Sequence, residues 1–212
     1  MTEKEKKARA LRIIDILEKR YPGAQCSLTY TNPFHLLVAV RLAAQCTDAR
    51  VNIVTPALFE RFPDAKSMAE APVDEIEELV RSCGLYKTKA RDISLMSKML
   101  CERFDGIVPD NMDDLLKLPG VGRKSANLIL GDIYKKPAVV TDTHCIRITN
   151  RLGLALGTEP KKVEMQLWKI LPPDKSSDLC HRFVLFGREI CTARSPKCEN
   201  CPLQNDCQER RL

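Results

Sequence analysis

The sequence predicts an all-α protein of about ten helices joined by short loops. Three observations carry that reading. Apolar residues recur at helical spacing along most of the chain, and polar caps or prolines stand ahead of those runs. Only PAVVT, residues 137–141, is composed like a strand, and no second segment offers it a partner. It reads as an extended connector.

Taken in order, Ala10, Ile14, Leu17 and Tyr21 mark one face of a first helix. Asn32-Pro33 opens the next, FHLLVAV, with a capping side chain followed by a ring that presets the first turn. Pro72 precedes VDEIEELV, and Gly84 follows VRSC where a C-cap glycine would stand. Ile93, Met96 and Leu100 give a further face. Asn111 is placed to cap a short helix, with Asp113 and Asp114 in its first turn and Lys117 at its end, as the helix dipole favours. SANLILGDIY continues as a helix, and Val163, Leu167, Ile170 and Leu171 give the last face. No repeat or low-complexity linker interrupts the series. At 212 residues the chain suits one large domain or two small ones, with a boundary near Lys135–Pro137, where it turns charged and then extended.

Composition narrows the class. Hydrophobic residues make up 44%, enough for a real core. The longest apolar run stops at Arg41 after about a third of a membrane span, and MTEKEKKARA is too charged for a signal peptide. A cytoplasmic protein without membrane association is expected. Thirty-four Lys and Arg against 28 Asp and Glu give a net charge of +6, which suits nucleic acid without requiring it. Aromatics at 5% argue against a single-strand binder built on stacking platforms. Of ten cysteines, Cys26, Cys46, Cys83, Cys101, Cys145 and Cys180 are scattered and read as small buried hydrophobes.

The stretch LPGVGRKSAN, residues 118–127, holds a conflict. Gly120 and Gly122 allow a sharp turn, and the helix after it begins with two cations, Arg123 and Lys124. The positive end of the dipole disfavours each by about 0.3–1 kcal/mol. Two short helices around LPGVG form a helix–hairpin–helix, whose outward N–H groups at Gly120, Val121, Gly122 and Arg123 make an anion seat. A DNA phosphate there offsets the charge conflict. The plain alternative is an αα-turn with a solvated Arg-Lys pair.

Lys124 also has a chemical reading. A lysine attacks only as the free amine, and an ordinary pKa near ~10.4 leaves about one in a thousand neutral at pH 7. The helix end and Arg123 both disfavour its charge, which a bound phosphate partly undoes. The position suits a nucleophile that forms a Schiff base at a sugar carbon. Asp142, in VTDTHC, is a carboxylate the chain can bring to the same reaction. It also has the pattern of an N-cap, and one side chain can serve both roles.

Cys191, Cys198, Cys201 and Cys207 follow C-x6-C-x2-C-x5-C. Four thiolates so crowded point to a metal centre, and on spacing both zinc and a [4Fe–4S] cluster remain open. Arg194 and Lys197 lie between the first two ligands, placed for phosphate contact or for solvent.

NPFHLLVAV with AQCTD, GLYKTKA, LPGVGRKSAN, DTH and the cysteine spacing occur here in one order, almost end to end. In these features the chain resembles the endonuclease III family, bifunctional DNA glycosylases of the helix–hairpin–helix superfamily with an iron–sulfur cluster. The resemblance implies Lys124 and Asp142 as the catalytic pair and a [4Fe–4S] cluster on Cys191, Cys198, Cys201 and Cys207. It implies that Gln45 and Leu85 enter the duplex where the base leaves. From the residues alone, Gln45 is equally a polar helix end and Leu85 the apolar contact of a helix C-cap. His144 falls in the family's DTH, as a DNA contact or a local hydrogen-bonding residue. The implied fold is two helical lobes with a cleft between them: 27–136 carrying the hairpin, and 1–26 with 137–212 carrying the cluster. The implied partner is duplex DNA with damaged bases or abasic sites, acted on by a monomer, nucleoid-associated in a prokaryote. Cys145, beside the expected site, is either a reactive thiol or buried. Adenine-mismatch glycosylases share the hairpin, aspartate and cluster, but Lys124 and the short length argue against them. Lys124 and Asp142 together argue against a non-enzymatic iron–sulfur DNA binder or redox sensor.

Overall fold

The most apolar helix of the chain, PFHLLVAVRL, has no polar face, so it must be covered on all sides. In the computed structural model, which describes residues 1–209, Phe34 to Ala39 and Leu42 of this helix are all buried. Among the described residues there are eleven α-helices and three 3₁₀ turns, and no strand. The helices are α1 (Glu3–Arg20), α2 (Pro33–Leu42), α3 (Asp48–Arg61), α4 (Ala65–Glu70), α5 (Val73–Val80), α6 (Tyr86–Phe104), α7 (Met112–Leu115), α8 (Arg123–Asp132), α9 (Thr143–Arg151), α10 (Pro160–Trp168) and α11 (Ser176–Glu189).

The chain folds as two compact units. The first holds Cys26–Tyr134. Here α6 is the hub: α2, α4 and α5 pack on it, and α2 also meets α3 and α8. Ile93, Met96 and Leu100 line the inner face of α6 without exposure. Each such side chain contributes about 1.5–3 kcal/mol by leaving water. The second unit joins Met1–Gln25 to the chain from Lys135 onward. There α11 packs on both α1 and α9. Ile13, Leu17, Ile148, Phe183 and Phe186 fill that core. Among the described residues no helix is long and apolar enough to cross a membrane.

Local signals explain most helix starts. Thr2 and Glu5 close a capping box on α1, Asn32 caps α2, and Asn111 caps α7. The helix after Asn111 is a single turn, so Lys117 lies beyond it and pairs with Asp114 at 2.7 Å. PAVVT runs extended, with Ala138, Val139 and Val140 buried. Its backbone is held by side chains of α11: Ala138 N donates to Ser176 Oγ and Val140 N to Cys180 Sγ, both at 3.3 Å.

Gly84 is not the C-cap of α5. That helix ends at Val80 with Arg81 as its cap, and it is Leu85, not Gly84, that takes a left-handed backbone, with φ 59°.

Asp64 caps α4, its carboxylate accepting from Ser67 N at 2.8 Å. That bond holds its carboxyl below the ordinary value of 3.8. The lowered pKa means the cap stabilises above the ordinary aspartate range and fades as the pH falls through it. Asp64→Ala should therefore cost about 1 kcal/mol near neutral pH, the penalty shrinking below pH ~4. Urea melts at pH 7 and pH 3 check this.

Candidate functional site

In the first unit the hairpin is built on an ion pair. Arg41, at the end of α2, donates through Nε and Nη2 to Asp92 Oδ2 on α6, at 2.9 and 2.6 Å. Gly120 lies against that pair with φ +75°, and a Cβ there would come within 2.6 Å of Arg41 Cδ and Nε. The glycine is thus required twice, for its left-handed turn and for its close approach. Val121 is buried, and its N–H donates to the Leu118 carbonyl at 3.1 Å. It shapes the turn, and its side chain and N–H are not offered to a phosphate. Gly122 is the exposed N-cap of α8 and supplies no capping side chain. Arg123 and Lys124 then occupy the first two positions of α8, where helical N–H groups have no partner within the helix. Lys124 is exposed and Arg123 half-buried.

Gln45 and Leu85 come together on the same unit. Both are non-glycine residues in left-handed backbone, with φ 53° and 59°. A non-glycine residue held there costs on the order of 1–2 kcal/mol, which surrounding structure must offset. Leu85 is 60% exposed, which excludes the reading of it as a helix-capping contact. Between them Gly84 approaches closely enough that a Cβ would lie 3.3 Å from the Gln45 carbonyl. The glycine is used for that approach, which is why it looks like a cap in the sequence and is not one.

The second unit carries Asp142 as the N-cap of α9. Its Oδ1 accepts from Cys145 N at 2.7 Å, which aims the half-buried carboxylate and leaves Oδ2 outside the cap. Cys145 is fully buried, and its hydrogen bond to Cys180 together with that burial holds its thiol well above the usual range. It is an inert core thiol. His144 Nδ1 lies 3.1 Å from Arg147 Nη2, and both fit because Gly187 of α11 has no side chain.

Cys191, Cys198, Cys201 and Cys207 line one hollow with Ile190, Pro196, Lys197 and Arg151. Burial pushes the Cys201 and Cys207 thiols up, and the neighbouring ligand sulfurs push them further. Four thiol side chains around one hollow are the donor set that a [4Fe–4S] cluster uses, and one that zinc also accepts. Arg194 and Lys197 lie exposed on the loop.

Two arginines that the spacing did not single out hold this loop. Arg147 donates to the Cys191 carbonyl at 2.9 Å and to the Gly187 carbonyl at 3.3 Å. Arg151, buried, donates to Cys191 Sγ at 3.2 Å, the Thr192 carbonyl at 2.8 Å and the Ala193 carbonyl at 3.2 Å. The Arg151 carbonyl in turn accepts from Gln208 N at 2.8 Å. The only sequence clue was two arginines one helical turn apart on a helix that begins at Asp142.

Comparison with known proteins agrees with these features. Residues 38–173 match a family model described as HhH-GPD superfamily base excision DNA repair protein. Residues 191–207 match the iron-sulfur binding domain of endonuclease III. The chain is 47% identical over 203 residues to endonuclease III of Synechocystis sp., covering 95% of this chain and 93% of that one. It is 36% identical over 202 residues to endonuclease III of Escherichia coli, covering 95% and 96%. A solved endonuclease III–DNA covalent intermediate superposes with a TM-score of 0.91 at 42% identity, covering 99% of this chain and 97% of the other. A thermostable thymine-DNA glycosylase shares the fold, with a TM-score of 0.83 at 20% identity.

Gly120→Ala should weaken the hairpin through both its φ and the Arg41 contact, by about 1–3 kcal/mol. Thermal melting should show a lower midpoint. Filter binding should show weaker affinity for undamaged duplex at low salt.

Proposed function

The chain belongs to the endonuclease III family of helix–hairpin–helix base-excision repair proteins, and on that premise we propose the residue roles that follow. The protein is a DNA glycosylase and abasic-site lyase that removes oxidised pyrimidines from duplex DNA and nicks the strand. It takes a [4Fe–4S] cluster, for which Cys191, Cys198, Cys201 and Cys207 are the ligands. When bound, the cluster ties together a C-terminal segment that has little apolar core of its own.

The observation that carries the assignment is Lys124: an exposed amine at the second position of α8, behind a glycine hairpin and without a capping side chain. The hairpin N–H groups at Gly120 and Gly122, with Arg123, hold a phosphate of the damaged strand. That contact positions the duplex and does not read it. Gln45 and Leu85 fill the space left when the base swings out, which is least costly for a poorly stacked, damaged base. His144, Arg194 and Lys197 add contacts to the backbone.

The neutral amine of Lys124 donates its electron pair to C1′ as the N-glycosidic bond breaks. The bond pair leaves with the base, which is protonated. Asp142 stabilises the cationic sugar and moves the amine's proton to O4′ as the C1′–O4′ bond breaks, which opens the ring and leaves C1′ and the amine joined as a Schiff base. Loss of a C2′ proton then drives β-elimination. The C3′–O bond breaks, the 3′ phosphate departs, and hydrolysis of the imine returns Lys124. Apart from the water that hydrolyses the imine, each group in this sequence belongs to the chain or to the DNA, and the protein acts as a monomer.

Borohydride should trap the protein on DNA containing thymine glycol, and Lys124→Gln should abolish trapping. Trapping by that variant at wild-type yield would remove Lys124 from the chemistry.

Asp142→Asn separates charge from capping, because Asn caps a helix about as well as Asp. Base release should fall by about 10²-fold or more with the melting temperature within a few degrees of wild type. A large drop in melting temperature would instead assign Asp142 to the fold.

A further inference from the structure

Among the described residues Lys89 is one of the largest side chains buried without exposure, and a charged one. It lies in the first turn of α6, and helical side chains lean toward their N-terminus. The chain therefore runs back under Leu85. Its Nζ donates to the Leu42 carbonyl at 2.8 Å, in the last turn of α2. Burial is the main influence on this ammonium and disfavours its charge. The Cys46 and Cys83 thiols favour the charge, and Arg41 disfavours it. Among the described residues the one carboxylate close by, Asp92, is bound to Arg41, and none is paired with Lys89. A buried cation without a carboxylate is an expensive way to join two helices, and an apolar side chain would pack there more favourably.

The geometry gives a reason. Leu42 is three residues before Gln45, and Lys89 is four residues after Leu85. Cys46 follows Gln45 directly, and Cys83 precedes Leu85 by two residues, with its thiol hydrogen-bonded to Cys46. The ammonium thus bonds to the root of the Gln45 tip and lies within electrostatic reach of Cys46 and Cys83, which stand beside the two exposed tips. Both tips hold left-handed backbones that neither residue prefers. The close approach of Gly84 to the Gln45 carbonyl joins them above. We propose that Lys89 is a positioning residue for base extrusion: its bond to the Leu42 carbonyl fixes the spacing and backbone of the Gln45 and Leu85 tips, so that the pair enters the duplex as one rigid wedge. This rests on the reading of Gln45 and Leu85 as duplex-entering residues.

A wedge matters only where a base must leave a stack. Single-stranded abasic DNA has no base to extrude and no opposing strand, yet it offers the same sugar to Lys124. Lys89→Met removes the donor and keeps the length. On duplex thymine glycol it should lower kcat at least tenfold while KM, set mainly by phosphate contacts, changes less than threefold. On single-stranded abasic DNA, borohydride trapping should stay within twofold of wild type. Combined with Leu85→Ala it should add less than threefold to the loss from Leu85→Ala alone. Equal losses on both substrates, full additivity with Leu85→Ala, or wild-type kcat on the duplex would each overturn the proposal. Should Lys89→Met not fold, Lys89→Arg carries the test. It keeps the cation, but its planar head does not fit a site built for a point charge. The same duplex-selective defect is then expected at two- to fivefold, and its absence would overturn the proposal. Lys124→Gln is run beside these variants. Trapping by it on single-stranded abasic DNA would refute the catalytic reading itself, which keeps the two failures apart.

Discussion

The last turn of α2 is gripped from α6 by two charged side chains one helical turn apart, and the functional parts of that unit are arranged around this grip. Asp92 takes the Arg41 guanidinium, and Lys89 gives its ammonium to the Leu42 carbonyl. Gly120 of the hairpin lies on Arg41, and the tips at Gln45 and Leu85 spring from the two chain ends beside Lys89. A helix as apolar as α2 finds its place by burial alone, but burial is non-directional and does not fix rotation or register. The two polar contacts at its end do. A sub-ångström shift of that end would reach both the hairpin and the tips.

The second unit uses the same device at α9. Asp142 begins the helix as its cap, and Arg147 and Arg151 reach from the same helix to the Cys191 carbonyl and sulfur. The carboxylate and the start of the iron–sulfur loop are therefore referred to one rigid element. The cap itself is economical. Because Oδ1 is bound to Cys145 N, the carboxylate does not rotate freely. The fully buried Cys145 beneath it adds packing without adding a reactive group.

Much of this was legible in the sequence, and what was missed has common causes. The helices, the extended PAVVT, the hairpin and the cysteine loop are all written in local patterns: periodicity, caps, glycines and spacing. Gly84 was misread because a glycine after a helical run satisfies the rule for a C-cap as well as the rule for close approach. Only the Gln45 carbonyl, thirty-nine residues earlier, distinguishes them. Val121 was counted with its glycine neighbours because spacing does not say that its N–H is already used by Leu118. Lys89, Arg147 and Arg151 were invisible for a deeper reason. A lysine or arginine on a helix reads as a solvated face, and nothing local shows that its partner is a carbonyl on another element.

That last point bears on the charge conflict at α8. Arg123 and Lys124 stand where the helix dipole disfavours them, behind an N-cap, Gly122, that has no side chain, whereas Thr2, Asp64 and Asn111 cap α1, α4 and α7. Lys89 shows how this fold treats a cation whose role is to hold the chain: it is buried and bonded to a carbonyl at a helix C-terminus, where the dipole favours it. Lys124 is the opposite case, exposed, at an N-terminus, with no capping side chain before it. A structural lysine gains nothing from that place. A lysine that must receive an electrophile gains access from its exposure. The two lysines differ less in sequence context than in which end of a helix they face, and that difference separates the residue that holds the fold from the residue assigned the reaction.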